Sequence, residues 1–218
     1  MIPLHLLQLA DSAFPTGGFA HASGLEAARE LGLVESAEDV RSWAREILWN
    51  TSLLALPFVA AAHREPGKLA DIDGRCDAAI ASHVAKRASR AQGAALLRTA
   101  AAAFPAAAAV AEAARAQRLA CHHAPVHGAV LSLLGADVAS ARRLFLFGAL
   151  RGVVAAAVRL GLVGPLEAQA LQAGLAPDAE EALAAGEGLA VKDAAAASPL
   201  LDLVQGHQDR LYSKLFQS

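Results

Sequence analysis

An all-α fold, a single-domain bundle of several helices around a central apolar helix, is predicted by three features of the sequence. Hydrophobic residues make up 55% of the chain and aromatics only 5%, so the apolar content is mostly alanine and leucine, the residues with the best helix propensity. Apolar side chains recur at helical spacing over long segments, with no alternating strand pattern of useful length and no internal repeat. A length of 218 residues suits one domain, 1–218, large enough to bury most of its apolar surface in one core.

The elements follow in order. Residues 1–10 are a short apolar segment ending at Asp11-Ser12, after which Pro15, Gly17 and Gly18 break any regular helix. A helix from about Phe19 to Leu31 should stop at Gly32, which suits a left-handed C-cap. Ser36 and Asp39 read as a capping box for a core helix carrying Val40, Trp43, Ile47, Leu48, Thr51 and Leu54, bent at Pro57. His63 to Gly74 is turn-rich, and a basic, small-residue helix is expected from about Arg75 to Phe104. Pro105 then opens an alanine-rich helix whose solvated face holds Glu112 and Arg115.

Pro125 and Gly135 bracket a short apolar helix. Asp137 caps the central one, with Leu144, Phe145, Leu146, Phe147, Leu150, Val153, Val154 and Val158. Gly161, Gly164 and Pro165 end that helix, and Pro177 opens another. Ser198-Pro199 starts an amphipathic C-terminal helix, 199–218, with Leu200, Val204, His207, Leu211 and Leu215 along one face.

Composition excludes several function classes. A net charge of −2 with no lysine and arginine run argues against nucleic acid as a partner. The uncharged stretch from Ile47 to His63 includes Asn50, Thr51, Ser52 and Pro57 and falls short of the ~20 apolar residues a bilayer requires, so no membrane span is expected. Cys76 and Cys121 stand apart in no paired motif, and the opening residues lack a secretory pattern, which together predict the cytoplasm. Gly67-Lys68 lacks the rest of a phosphate-binding loop, and no Gly-x-Ser-x-Gly is present, so neither a P-loop nucleotidase nor that class of serine hydrolase is expected.

Cys121, His122, His123 and His127 concentrate nitrogen and sulfur donors of the kind that suit nickel or zinc, although their spacing matches no known ligand motif. The competing reading is a polar loop ahead of Pro125 with no carboxylate close by to orient the rings. His21 is expected on a helix near Gly17-Gly18, where it could serve a metal, cap a carbonyl or contact a partner, with hydrogen bonding favoured, and Glu26 is expected as a helix-surface charge ahead of a ligand. Arg151 and Arg159 interrupt the central helix and are expected to bury their stems and pair with carboxylates.

The stretch Leu7-Gln8-Leu9-Ala10-Asp11-Ser12-Ala13-Phe14-Pro15-Thr16-Gly17-Gly18-Phe19-Ala20-His21-Ala22-Ser23-Gly24-Leu25-Glu26 resembles the N-terminal signature of the UreF family of urease accessory proteins. Ala88-Ser89-Arg90-Ala91-Gln92-Gly93 is similar to that family's mid-chain Ser/Gly helix, and Arg159-Leu160-Gly161 to its Arg-Leu-Gly turn. Ser198-Pro199-Leu200-Leu201, His207 and Leu211 to Phe216 are similar to its C-terminal helix and tail. Ala22 and His127 depart from it, standing where serine and an aromatic residue are usual.

The resemblance implies an all-α homodimer, not an enzyme, that joins the accessory protein UreD (also called UreH) and the GTPase UreG to deliver nickel to apo-urease. It implies no tightly bound cofactor, with nickel in transit. The candidate partner-binding residues are Asp11, Ser12, Phe14, Pro15, Gly17, Phe19, His21, Gly24 and Glu26 in the segment and loop of 1–18 and just beyond. His207, Leu211, Tyr212, Lys214, Leu215 and Phe216 form the matching set in the C-terminal docking helix and tail. A second reading is a nickel-binding metallochaperone acting through Cys121, His122, His123 and His127, and a third is an all-α enzyme with an unrecognised pocket.

Overall fold

Where Ala and Leu dominate, helices can approach closely, and the closest approaches organise this structure. The computed structural model describes residues 3–218; Met1 and Ile2, which open the apolar segment expected at 1–10, lie outside them. Among the described residues all regular structure is helical, and no helix is long and apolar enough to cross a membrane. After α1 (Leu4–Ala10) and α2 (Leu25–Glu30) come α3 (Ala37–Asn50), α4 (Leu56–Arg64), α5 (Leu69–Ala79) and α6 (His83–Ala103). Then follow α7 (Pro105–Ala116), α8 (His123–Leu133), α9 (Val138–Arg159), α10 (Pro165–Gly174), α11 (Ala176–Ala185) and α12 (Pro199–His207).

Two helices share the centre. The predicted one, α9, receives α2, α3, α4, α8, α10 and α11 along its length. Its neighbour α8 is more enclosed, packed by α4, α5, α6, α7 and α9, with Ala124, Val126, Ala129, Val130 and Leu131 all buried. Two glycines allow that enclosure. A Cβ at Gly93 of α6 would stand 2.7 Å from the His122 carbonyl carbon and collide with the Cys121 carbonyl, and one at Gly128 of α8 would collide with the Val59 carbonyl of α4. Backbone therefore meets backbone on two sides of α8, and neither neighbour can retreat into a flexible side chain.

Several expected boundaries hold. Ser36 and Asp39 form the capping box of α3, and Asp137 caps α9. Gly32 takes φ +70° just beyond α2, with Leu33 N–H returning to Ala28 O at 2.9 Å. The bend near Pro57 is a π-helical turn, Thr51–Ala55, between α3 and α4. Pro57 has no N–H for the Leu53 carbonyl, which instead accepts from Ala195 N–H at 3.2 Å, while Asn50 Oδ1 accepts from Ala197 N–H at 2.9 Å.

Other boundaries differ. The helix expected from Arg75 to Phe104 is two helices, because α5 already begins at Leu69 and the chain opens at Ile80, where Ser82 caps α6. Pro165 does more than end α9: it occupies the first turn of α10, an unforeseen helix. The Phe19–Leu31 helix is a 3-10 turn, Gly18–Ala20, followed by α2, with Gly24 at φ +81° between them. The last helix stops at His207, so Leu211 and Leu215 lie beyond it; its buried face is Leu201, Val204 and Gln205, while Leu200 and Leu203 face water.

Replacing Gly93 or Gly128 with alanine should cost about 2 kcal/mol or more, because a rigid backbone must move to admit one methyl group. Urea melts should place both midpoints well below that of an alanine substitution at Gly67, which has open space around it.

Candidate functional site

The signature loop and the C-terminal tail, almost 200 residues apart in sequence, meet at one place. Asp11 Oδ1 accepts from Ala13 N–H at 2.9 Å to turn the chain out of α1, and Phe14 turns inward to stack on Phe104 at 6.3 Å. Gly17 then takes φ +75°, a left-handed conformation that favours glycine. Asp11, Ser12 and Pro15 are exposed, and Thr99 Oγ1 donates to Pro15 O at 3.1 Å, tying the loop to α6.

The tail runs back along the loop through bends at 212–213 and 215–216. Gln217 N–H donates to Ala20 O at 2.8 Å and Ala22 N–H to Ser218 O at 2.6 Å. Glu26 is at the centre. It is buried, and its carboxylate accepts from Leu215 N–H at 2.6 Å, Phe216 N–H at 3.0 Å and Gln208 Nε2 at 2.6 Å. The expected surface charge is therefore an internal anchor, because buried carboxylates persist only where donors satisfy them. Gly24 leaves room for α12: a Cβ there would lie 2.8 Å from Gln205 Cγ.

His21 sits in extended backbone after the 3-10 turn, not on a helix, and its Nδ1 hydrogen-bonds Ser218 Oγ at 2.7 Å. Burial, and next the nearby Arg87, hold its pKa below the usual histidine value. Arg87 also reaches Asp209 at 2.7 Å, His83 Nε2 reaches the same carboxylate at 3.0 Å, and Lys214 Nζ donates to Asp209 O at 3.1 Å. Hydrogen bonds from Arg87 first and His83 next bring the Asp209 carboxyl down to about 2. His207 is half-buried at the end of α12.

Arg159 joins loop to tail. Its guanidinium lies 3.7 Å from the Phe19 ring centroid and 4.2 Å from that of Phe216, and it donates to Phe19 O. Arg151 donates to Ala10 O and lies 5.7 Å from the Phe147 ring centroid. Both arginines thus meet carbonyls and rings where carboxylate partners were expected. Phe216 is buried, whereas Phe19 is 75% exposed, Leu215 52% exposed and Tyr212 wholly exposed. The exposed side chains of the junction therefore include two aromatics and a leucine among polar neighbours such as Asp209, Arg210 and Lys214.

Cys121, His122, His123 and His127 do not converge. Asp73 accepts from Cys121 N–H at 3.0 Å and His122 N–H at 2.7 Å, a clamp that holds Cys121 at φ +59°. The fully buried His122 ring spans Asp77 Oδ1 at 2.9 Å and Ser89 Oγ at 3.0 Å, so carboxylates from α5 do orient this segment. Hydrogen bonds from His122 first and Arg90 next hold the Asp77 carboxyl far below the usual carboxylate range. His123 and His127 pack on the Phe145 ring at 4.8 and 5.2 Å, and His127 Nε2 donates to Ala141 O at 3.0 Å. Each residue keeps some surface, yet ring burial is the largest cause that takes their pKa values down to about 3 and about 4. Among the described residues no three His, Cys, Asp or Glu side chains are placed to hold a metal ion.

Loop, tail and bundle define a class: an all-helical protein whose two chain ends build one composite surface. A model of the UreF family matches residues 34–176. The chain is 42% identical over 217 residues to urease accessory protein F of Arabidopsis thaliana, covering 97% of this chain and 90% of that protein. It is 39% identical over 215 residues to urease accessory protein F of Oryza sativa subsp. japonica, covering 96% and 82%. It is 30% identical over 234 residues to urease accessory protein UreF of Trichodesmium erythraeum, covering 98% and 95%. The chain belongs to the UreF family.

Glu26→Ala should release the tail, and trypsin should then cut after Lys214 at least about tenfold faster than in the parent, because three donors, two of them buried, lose their acceptor. His123 and His127 set a pH dependence. Their folded pKa values are depressed below the unfolded 6.5, so the unfolded chain binds more protons between about pH 4 and 6.5. Their contribution to stability is complete above about pH 6.5 and is lost as the pH falls through the folded values. Urea melts between pH 7.5 and 4.5 should show a decline that is shallower in His123→Asn.

Proposed function

We propose that this chain is an adaptor in urease maturation, joining UreD (UreH) and the GTPase UreG in a complex that delivers nickel to apo-urease. Membership of the UreF family, whose relatives above bear the name urease accessory protein, supports the role in maturation. The observation that carries the adaptor reading is the outer face of the loop and tail junction. There Phe19, Tyr212 and Leu215 stand in water on backbone fixed from below by Glu26, Asp209 and Arg159.

Large apolar and aromatic side chains held rigidly in solvent lose little conformational entropy on binding, which is how interface hot spots gain affinity. The function so read is binding and not catalysis, performed in the cytoplasm with nickel as cargo in transit. A homodimer would present the face twice, so each partner would bind in two symmetric copies. The roles of Asp11, Ser12, Pro15 and Gly17 are then to shape and border this face, and those of His21, Gly24, Glu26 and Phe216 to anchor it.

Purified chain mixed with UreD and UreG should co-elute with them in size-exclusion chromatography with light scattering. Tyr212→Ala combined with Leu215→Ser should weaken the complex about tenfold or more while leaving the melting temperature unchanged, because both side chains point outward. A parent chain that binds neither partner would sink the adaptor reading.

A further inference from the structure

We propose that the π-helical turn Thr51–Ala55 is a latch for the connection between α11 and α12, and that this latch, together with Glu26, sets the docked state of the C-terminal tail. The inference concerns the isolated chain and does not depend on the adaptor reading. Residues in and beside the turn grip the connection at three separate points. The fully buried Ser52 donates its Oγ–H to Ala182 O in the last turn of α11. The Leu53 carbonyl accepts from Ala195 N–H at 3.2 Å, and Asn50 Oδ1, one residue before the turn, accepts from Ala197 N–H at 2.9 Å. Gly186, where the connection leaves α11, lies against the same turn, since a Cβ there would stand 2.9 Å from Ser52 O.

Pro57 removes the N–H that the Leu53 carbonyl would take in a regular α-helix, and the π-turn shifts its carbonyls off that register. The acceptors are thus built into the rigid body of α3 and α4, whereas the donors lie on a stretch with little else to hold it. Ala195, Ala196 and Ala197 are exposed, and of the apolar residues from Ala190 onward Val191 and Ala194 are the ones packed on the core. Donation by alternate residues, 195 and 197, is the pattern of an extended chain lying along a row of acceptors. α12 follows at once. It is nine residues long and buries Leu201, Val204 and Gln205 alone, too little for such a short helix to hold its place unaided. With the latch closed, Ser198 alone separates Ala197 from α12; with it open, the free tether is the whole of 192–198. That lengthening lowers the effective concentration of α12 at its seat on α2 and α6 by about tenfold.

The test is amide hydrogen exchange of the full chain, read by mass spectrometry on peptides covering 190–198, 211–218 and the middle of α9, in the parent, Asn50→Ala and Ala195→Pro. Asn50 is half-buried at the end of α3, and its truncation leaves the helix backbone untouched. Ala194 already has φ −64° and ψ 123°, a conformation that a following proline accepts, so Ala195→Pro deletes the donor to Leu53 O without a clash. Each variant removes one bond of the latch and should speed exchange of 211–218 at least about fivefold, with α9 exchanging as in the parent. The 190–198 peptide should exchange faster in Asn50→Ala as well. Unchanged exchange at 211–218 in both variants would overturn the proposal and show a tail anchored independently of the turn. Equal acceleration in α9 would overturn it too, since that is general loss of stability and not a latch. Because no partner protein is present, these outcomes leave the adaptor reading to its own test.

Discussion

A carboxylate inside a protein must find donors, and the Glu26 side chain finds three on one short segment: the backbone N–H groups of Leu215 and Phe216 and the Gln208 amide. That requirement dictates the path of the last residues. With Leu215 and Phe216 fixed, the Phe216 ring comes to rest 4.2 Å from the Arg159 guanidinium carbon, whose other face takes Phe19. The tail continues into register with Ala20 and Ala22. One buried charge thereby orders the loop, the tail and the end of α9.

The same helix serves both ends of the molecule. α6 carries Ser89 and Gly93, which receive the 121–123 turn, and, nearer its start, His83 and Arg87, which grip Asp209. Ser89 Oγ accepts from His123 N–H at 3.1 Å while pairing with the His122 ring, so the entry to α8 and the anchor of the tail share a rigid support. The alanine and glycine content that predicts a helical fold has this physical use. Small residues let α4, α6 and α8 pack backbone on backbone, and close packing fixes the relative position of side chains far apart in sequence.

What could be read in the sequence was local. The Ser36–Asp39 box, the Asp137 cap, the Gly32 stop and the Pro199 start depend on residues within four positions of one another, and each appears where expected. The α5–α6 break was hidden because Ile80 and Ala81 carry no turn signal, and α10 because Pro165 can end one helix or begin the next. Glu26 looked like a surface charge because its donors lie 182 to 190 residues away. The signature loop could be recognised as a pattern, yet nothing in the pattern tells that His21, Gly24 and Glu26 face the chain's own tail while Phe19 faces outward. For the Cys121–His127 cluster, proximity in sequence was misleading. Asp73 and Asp77 arrive from α5 and engage Cys121 and His122, while His123 and His127 pack on Phe145.

The loop and the tail are therefore thermodynamically one element. Phe19 is held on its inner face by Arg159, and Arg159 by Phe216, so an undocked tail removes one half of a sandwich whose other half is the exposed aromatic of the loop. A partner that grips Tyr212 and Leu215 in their docked positions binds a state in which Phe19 is already placed, and by linkage a partner that grips Phe19 favours the docked tail to the same extent. Two proteins bound to the two edges of this face would assist each other without touching, through a side-chain stack less than 10 Å across, since 3.7 and 4.2 Å separate the guanidinium carbon from the two ring centres. A chain that held two partners at once, as proposed, would gain from such an arrangement, and Glu26 is the group that fixes the tail within it.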